Sequence, residues 1–152
     1  MANTQAMCTS FKGELLNATH NFSSTNPAHT ANTVDTFKAA LYLASGSLGA
    51  ATTAYSATSE VSGTGYTAGG ITVTNATAPT TSGTTAYWTP SASLVYSAVT
   101  LSTSFDTVLI YNSSQSNKAV SVHTFTAQTI TAGTFTLTMP SNAAGTALIQ
   151  LT

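Results

Sequence analysis

An all-β domain, an antiparallel β-sandwich or jelly-roll-like fold with a short N-terminal helix or arm, is predicted from three observations. Hydrophobic residues alternate with period two in several short runs, turn-forming residues separate those runs, and no helical periodicity lies between them. At 152 residues the chain is the size of one domain, enough to bury roughly 70% of the surface its unfolded form exposes.

Residues 9–22 read as a short amphipathic helix. Phe11, Leu15 and Ala18 fall on one face by i,i+4 and i,i+3 spacing, and Ser10 is the candidate N-cap. Gly13 within it costs about 1 kcal/mol relative to Ala, so the helix depends on packing against a partner. Residues 23–35 are polar, contain Asn26-Pro27 and His29, and read as loop. Together these segments suggest an arm over residues 1–34 and a β-domain over residues 35–152.

The β-domain opens on Phe37, Ala39, Leu41 and Leu43, which alternate with Lys38, Ala40, Tyr42 and Ala44 as in a strand with one face in the core. Residues 45–70 are rich in Gly, Ala, Ser and Thr, and a loop this long in a compact domain is more often functional than decorative. Strand-like runs follow at 71–76, 86–101 with a break at Pro90, 105–111, 119–131, 134–139 and 146–151. Turn chemistry marks the 112–117 and 140–142 junctions.

The charge inventory excludes whole classes of partner. Lys12, Lys38 and Lys118 are the only basic residues, Glu14, Asp35, Glu60 and Asp106 the only acidic ones, and charged residues make up 5% of the chain against about 25% in ordinary domains. There is no arginine, and three scattered lysines cannot displace counterions from a phosphate backbone, so no direct nucleic-acid contact is expected. Ser and Thr supply roughly a third of the positions. A neutral hydroxylated surface does little to keep copies apart, which suits a protein that works in an assembly. The first residues lack a secretory leader's basic and apolar regions, and no run approaches the roughly 20 apolar residues of a membrane span, so synthesis in the cytoplasm and no membrane partner are expected.

Groups able to do chemistry are few: His20, His29, His123, the four carboxylates and the single Cys8, which has no partner for an intramolecular disulfide. No carboxylate stands at metal-ligand spacing from a histidine, so no metal, cofactor or catalytic residue is expected. Gly63-x-Gly65-x-x-Ala68 matches a dinucleotide fingerprint in letter. It opens no helix, and a glycine-permitted turn anchored by Tyr66 fits better. Tyr87-Trp88 and Tyr96 offer an aromatic platform for a glycan, but Trp88 reads more naturally as core or interface.

Several runs resemble a family of small tailed-phage virion proteins described as head decoration, head fibre or minor tail proteins. They are Phe11-Lys12-Gly13-Glu14-Leu15-Leu16-Asn17 with His20-Asn21-Phe22, and Asp35-Thr36-Phe37-Lys38-Ala39-Ala40-Leu41-Tyr42. Thr53-Ala54-Tyr55, the specific run from Glu60-Val61-Ser62-Gly63 to Ala68-Gly69-Gly70, and Leu109-Ile110-Tyr111-Asn112-Ser113-Ser114-Gln115 complete the likeness. The chain departs from it over residues 88–104, where Pro90 and Leu94-Val95-Tyr96 replace a more acidic segment. The resemblance implies a non-enzymatic virion structural protein, made in the host cytoplasm and placed on the outer capsid surface. A decoration protein binds the major capsid protein and its own copies, most economically as a homotrimer at a symmetry axis. On this reading Phe11, Lys12, Glu14 and Leu15 are the candidate capsid contacts, and Tyr66, Trp88 and Tyr96 the candidate subunit contacts.

Overall fold

The computed structural model describes residues 2–23, 33–75 and 77–152, which form two antiparallel sheets and one short helix. The Asn26-Pro27 pair and His29 of the expected loop lie outside the described residues. The larger sheet takes the order β1-β7-β6-β2-β3, from β1 (Ala6–Met7), β2 (Phe37–Leu43), β3 (Ile71–Thr72), β6 (Leu94–Asn112) and β7 (Lys118–Leu137). The smaller one takes the order β4-β5-β8, from β4 (Thr80–Ser82), β5 (Thr85–Trp88) and β8 (Ile149–Leu151).

The predicted β-sandwich is therefore present, but residues 94–101 and 105–111 run together in β6, and 119–131 and 134–137 in β7, so these two strands are longer than the turn signals suggested. Pro90 does end β5, and residues 113–117 do turn the chain. Ser102-Thr103-Ser104 and Ala132-Gly133, expected as breaks, instead stay inside β6 and β7. Thr fits a pleated backbone, and register slips take up the irregularity, with Ala98 (φ 53°) and Ala132 (φ 45°) in left-handed conformation. The result is a hairpin of 19- and 20-residue strands.

Register assigns the faces of the larger sheet, because residues directly opposite in an antiparallel pair share a face. Phe37, Ala39 and Leu41 pair with Asn112, Ile110 and Val108 on the face where Trp88 of the small sheet meets Phe37. Lys38, Ala40 and Tyr42 pair with Tyr111, Leu109 and Thr107 on the other. Both Ala40 and Tyr42 are buried, so β2 is covered on both faces and not on one as its alternation suggested. The second cover is the long 45–70 segment: Tyr42 donates to the Ser56 carbonyl at 2.6 Å, and the Tyr55 ring stacks on Tyr111 at 4.8 Å. Gly70 (φ 70°) is held against the backbone of Ala39, and a Cβ there would collide with the Ala39 carbonyl oxygen.

Residues 2–23 are built into this body. Asn3 is buried, donates to the Leu43 carbonyl and Asp106 Oδ1, and accepts from Leu48 N–H at 2.9 Å. The helix α1 (Thr9–Leu16) is shorter than its pattern and begins after Cys8, not at a Ser10 cap. It ends because Ala18 turns left-handed (φ 52°), with Thr19 N–H donating to Glu14 O and Ala18 N–H to Leu15 O, the paired bonds of a Schellman motif. Phe11 is 1% exposed and packs on His20 and Phe22, so the apolar helix face meets its own sandwich. An arm extending from a separate β-domain does not describe these residues, because the core they cover is the domain's own.

Candidate functional site

All four carboxylates are hydrogen-bonded: Asp106, Asp35 and Glu14 join segments far apart in the chain, and Glu60 gathers residues of its own loop. Asp106 in β6 accepts from Asn3 at 2.8 Å and from Thr107 Oγ1 at 2.7 Å. Asp35 accepts from Asn21 N–H, Asn112 Nδ2 and Gln115 Nε2 at 2.8, 2.7 and 3.2 Å. Glu14 on α1 accepts from Lys118 Nζ at 2.7 Å and faces His20 Nε2 at 2.8 Å. Burial works to raise the Glu14 pKa, but the bonds from Lys118 and His20 outweigh it and hold the carboxyl below the usual glutamate range.

His20 completes a chain from Lys118 through Glu14 to Asn112 and Asp35. Its side chain is fully buried, and Asn112 Nδ2 lies 2.9 Å from His20 Nδ1. The Asn112 amide is oriented by Ser114 N–H, which donates to its Oδ1, and by Asp35, which accepts from its Nδ2. His20 Nδ1 therefore accepts and Nε2–H donates to Glu14. Both ring nitrogens are occupied, so the ring is a structural link with no lone pair left for a substrate.

Glu60 is the second hub and carries the most specific run of the sequence. Its Oε2 accepts from the Tyr55 hydroxyl, and its Oε1 from the Tyr66 hydroxyl and Gly69 N–H, all at 2.7 Å. The Tyr66 hydroxyl also accepts from Leu41 N–H at 3.0 Å, and the Tyr111 hydroxyl donates to Gly69 O at 2.8 Å. Burial raises the pKa of Tyr55 to about 12, reinforced by its bond to Glu60, and pushes Tyr66 and Tyr96 upward as well. These tyrosines stay protonated donors. Gly65 (φ 77°) supplies the expected glycine-permitted turn beside its Tyr66 anchor.

Among the described residues lie apolar pockets of about 80 and 110 Å³. The smaller lies between α1 and the small sheet, lined by Phe11, Leu15, Phe22, Trp88, Ile149 and Leu151. The larger is walled by Leu94, Val108, Phe125, Leu137 and Met139, with His123 at its side. Burial pushes the His123 pKa down from 6.5 to about 4, and its Nε2 lies 2.9 Å from Ser121 Oγ. Ser121 is 2% exposed, which closes it to a substrate. Between pH 6.5 and 4 the unfolded chain takes up a proton that the folded ring refuses, so stability falls as pH drops through that window, by at most about 3 kcal/mol. His123→Gln should flatten that limb of a urea-midpoint-against-pH curve, leaving a separate Glu14 loss below the ordinary glutamate range. An unchanged slope would rule out His123 as its source.

The expected contacts sort into open and closed. On the helix, Lys12 is exposed, Leu15 half-buried, Glu14 engaged and Phe11 sealed inside; Leu16, at 91% exposure, is the residue the pattern missed. Tyr66 is half-buried, whereas Trp88 and Tyr96 are each 2% exposed and cannot touch a second subunit. Trp88 Nε1–H donates to Asn75 Oδ1 and Thr77 O, both at 2.9 Å, and the Tyr96 hydroxyl to Ala39 O at 2.9 Å, which also removes the glycan platform. Cys8 is buried and its thiol pushed up to about 11, chiefly by burial. Among the described residues no group of His, Cys, Asp or Glu is placed to hold a metal, and no helix is long and apolar enough to cross a membrane. What the fold does expose is uncharged and mostly hydroxyl: Ser102, Thr103 and Ser104 of β6, and Thr126, Ala127, Gln128 and Thr129 of β7, are consecutive exposed positions. No known family model, curated protein or solved structure matches the chain.

Proposed function

We propose that this chain is a non-enzymatic structural protein of a tailed-phage particle, a decoration protein that binds the outer head shell through the major capsid protein and bridges neighbouring subunits. The observation that carries the reading is the division of polar groups. The acidic side chains are spent as internal staples, while the exposed strand positions of the β6–β7 hairpin carry uncharged hydroxyls, the surface of a protein that packs against neighbours. The resemblance in the Glu60–Gly70 run supports the same reading, since that run organises the cover of the central sheet. Lys12, Leu15 and Leu16 on α1 are the helix residues open to a shell. A closed homo-oligomer, a trimer at a three-fold position, suits this role.

A second reading, a tail, adaptor or fibre component, is favoured by the hairpin. Strands of 19 and 20 residues reach about 60 Å when fully extended, long for a domain this small. Quantitative mass spectrometry of purified particles of the encoding phage separates the two. Hundreds of copies, in a multiple set by shell symmetry, support decoration. A single ring's worth supports the tail reading, and absence from particles overturns both.

A further inference from the structure

We propose that a second copy of this chain adds to the outer edge of β7, antiparallel, about a two-fold axis through Ile130. β7 pairs with β6 along one side, while on its other side β1 reaches only Ser121 and Val122. From Thr124 to Leu137 that outer edge has no strand partner among the described residues. Natural edges of this length are guarded by lysine, proline, inward charge or bulges; this one carries only the register slips it shares with β6, since residues 124–137 contain no charged residue and no proline. Where Thr126 to Thr129 are all exposed, neither face of the strand is covered, and a ribbon so placed gains from a third strand.

The identity of the occupant follows from the strand's own symmetry. Residues 124–136 read Thr-Phe-Thr-Ala-Gln-Thr-Ile-Thr-Ala-Gly-Thr-Phe-Thr, nearly the same in both directions about Ile130. A two-fold axis there sets Thr124 opposite Thr136, Phe125 opposite Phe135, Thr126 opposite Thr134 and Thr129 opposite Thr131 of the second copy. These are like pairs of the threonine and aromatic kind that stabilise antiparallel neighbours. Only Ala127 with Gly133 and Gln128 with Ala132 differ, and both pairs are small or neutral. Phe125 and Phe135 already share a cluster with Phe105, so the pairing would run two sheets together with their cores on one side. The register slips along β6–β7 add twist, which narrow ribbons tolerate. Such an isologous contact joins copies in pairs, and within trimers it would link one ring to the next, so chains occur in even numbers.

Light scattering on the purified full chain, with amide hydrogen exchange, tests this wherever the protein serves. The expected result is an even number of chains and slow exchange across residues 124–136. Thr129 and Thr131, both exposed, face each other across the axis. Thr129→Lys with Thr131→Lys should halve the mass, because lysine then meets lysine; Thr129→Lys with Thr131→Glu should restore it, because lysine then meets glutamate. Far-UV circular dichroism should stay native in both, and a variant that unfolds hands the decision to the wild-type exchange pattern. A wild-type mass of one or three chains, fast exchange along the edge, or equal masses for the two folded double variants would overturn the proposal.

Discussion

Phe11→Ala is expected to destabilise the protein by about 3–5 kcal/mol, enough to leave a marginal domain largely unfolded. The ring is 1% exposed and lies 4.9 Å from His20 and 6.1 Å from Phe22 between centroids, while Phe22 in turn stacks on Phe37 at 4.4 Å. Truncation would open a cavity continuous with the pocket beside Leu15 and Trp88, and would loosen the ring that orients the Glu14–His20–Asn112 chain. Urea denaturation followed by tryptophan emission reads the loss, since Trp88 lies 4.8 Å from Phe22. A change below about 1 kcal/mol would mean that α1 is peripheral to the core after all.

Glu60→Ala is expected to cost about 3 kcal/mol or more, because it strands the Tyr55 and Tyr66 hydroxyls and Gly69 N–H at once. Glu60→Gln keeps an acceptor but brings an amide N–H₂ to donors already facing the site, so about half of that loss is expected. The damage should be local as well as global. Amides near Leu41 and Gly69 should exchange faster, since both belong to the same network. Equal denaturation midpoints for wild type and Glu60→Ala would show that water replaces the carboxylate without cost.

Much of the architecture is legible in the residues. Alternation at Phe37, Ala39 and Leu41 marked the interior strand β2, Pro90 marked the end of β5, and the Asn112–Asn117 run marked the hairpin turn. What was not legible is non-local. Ser102-Thr103-Ser104 has the composition of a turn, yet the same residues suit an extended ladder, and only pairing with β7 decides between them. The apolar stripe of Phe11 and Leu15 announced a need for a partner without saying that the partner lay in the same chain. The burial of Trp88 and Tyr96 depends in the same way on which strands cross above them. The His20–Asn112–Asp35 chain joins residues 92 and 77 positions apart, which local reading cannot reach. Its one signal was scarcity: in a chain with four carboxylates, each is worth testing as the acceptor for buried donors.

The same scarcity reaches the mesoscopic scale. With Glu14 bonded to Lys118 and His20, and Asp35, Glu60 and Asp106 each bonded to internal donors, a chain of formal net charge −1 presents little that an electric field or a passing polyelectrolyte can grip. A layer of such chains over a charged object would be thicker than the Debye length of about 8 Å at physiological salt, so the object's electrophoretic mobility would fall below that of the bare surface, while the layer's own cohesion should hardly respond to dilution of the surrounding salt.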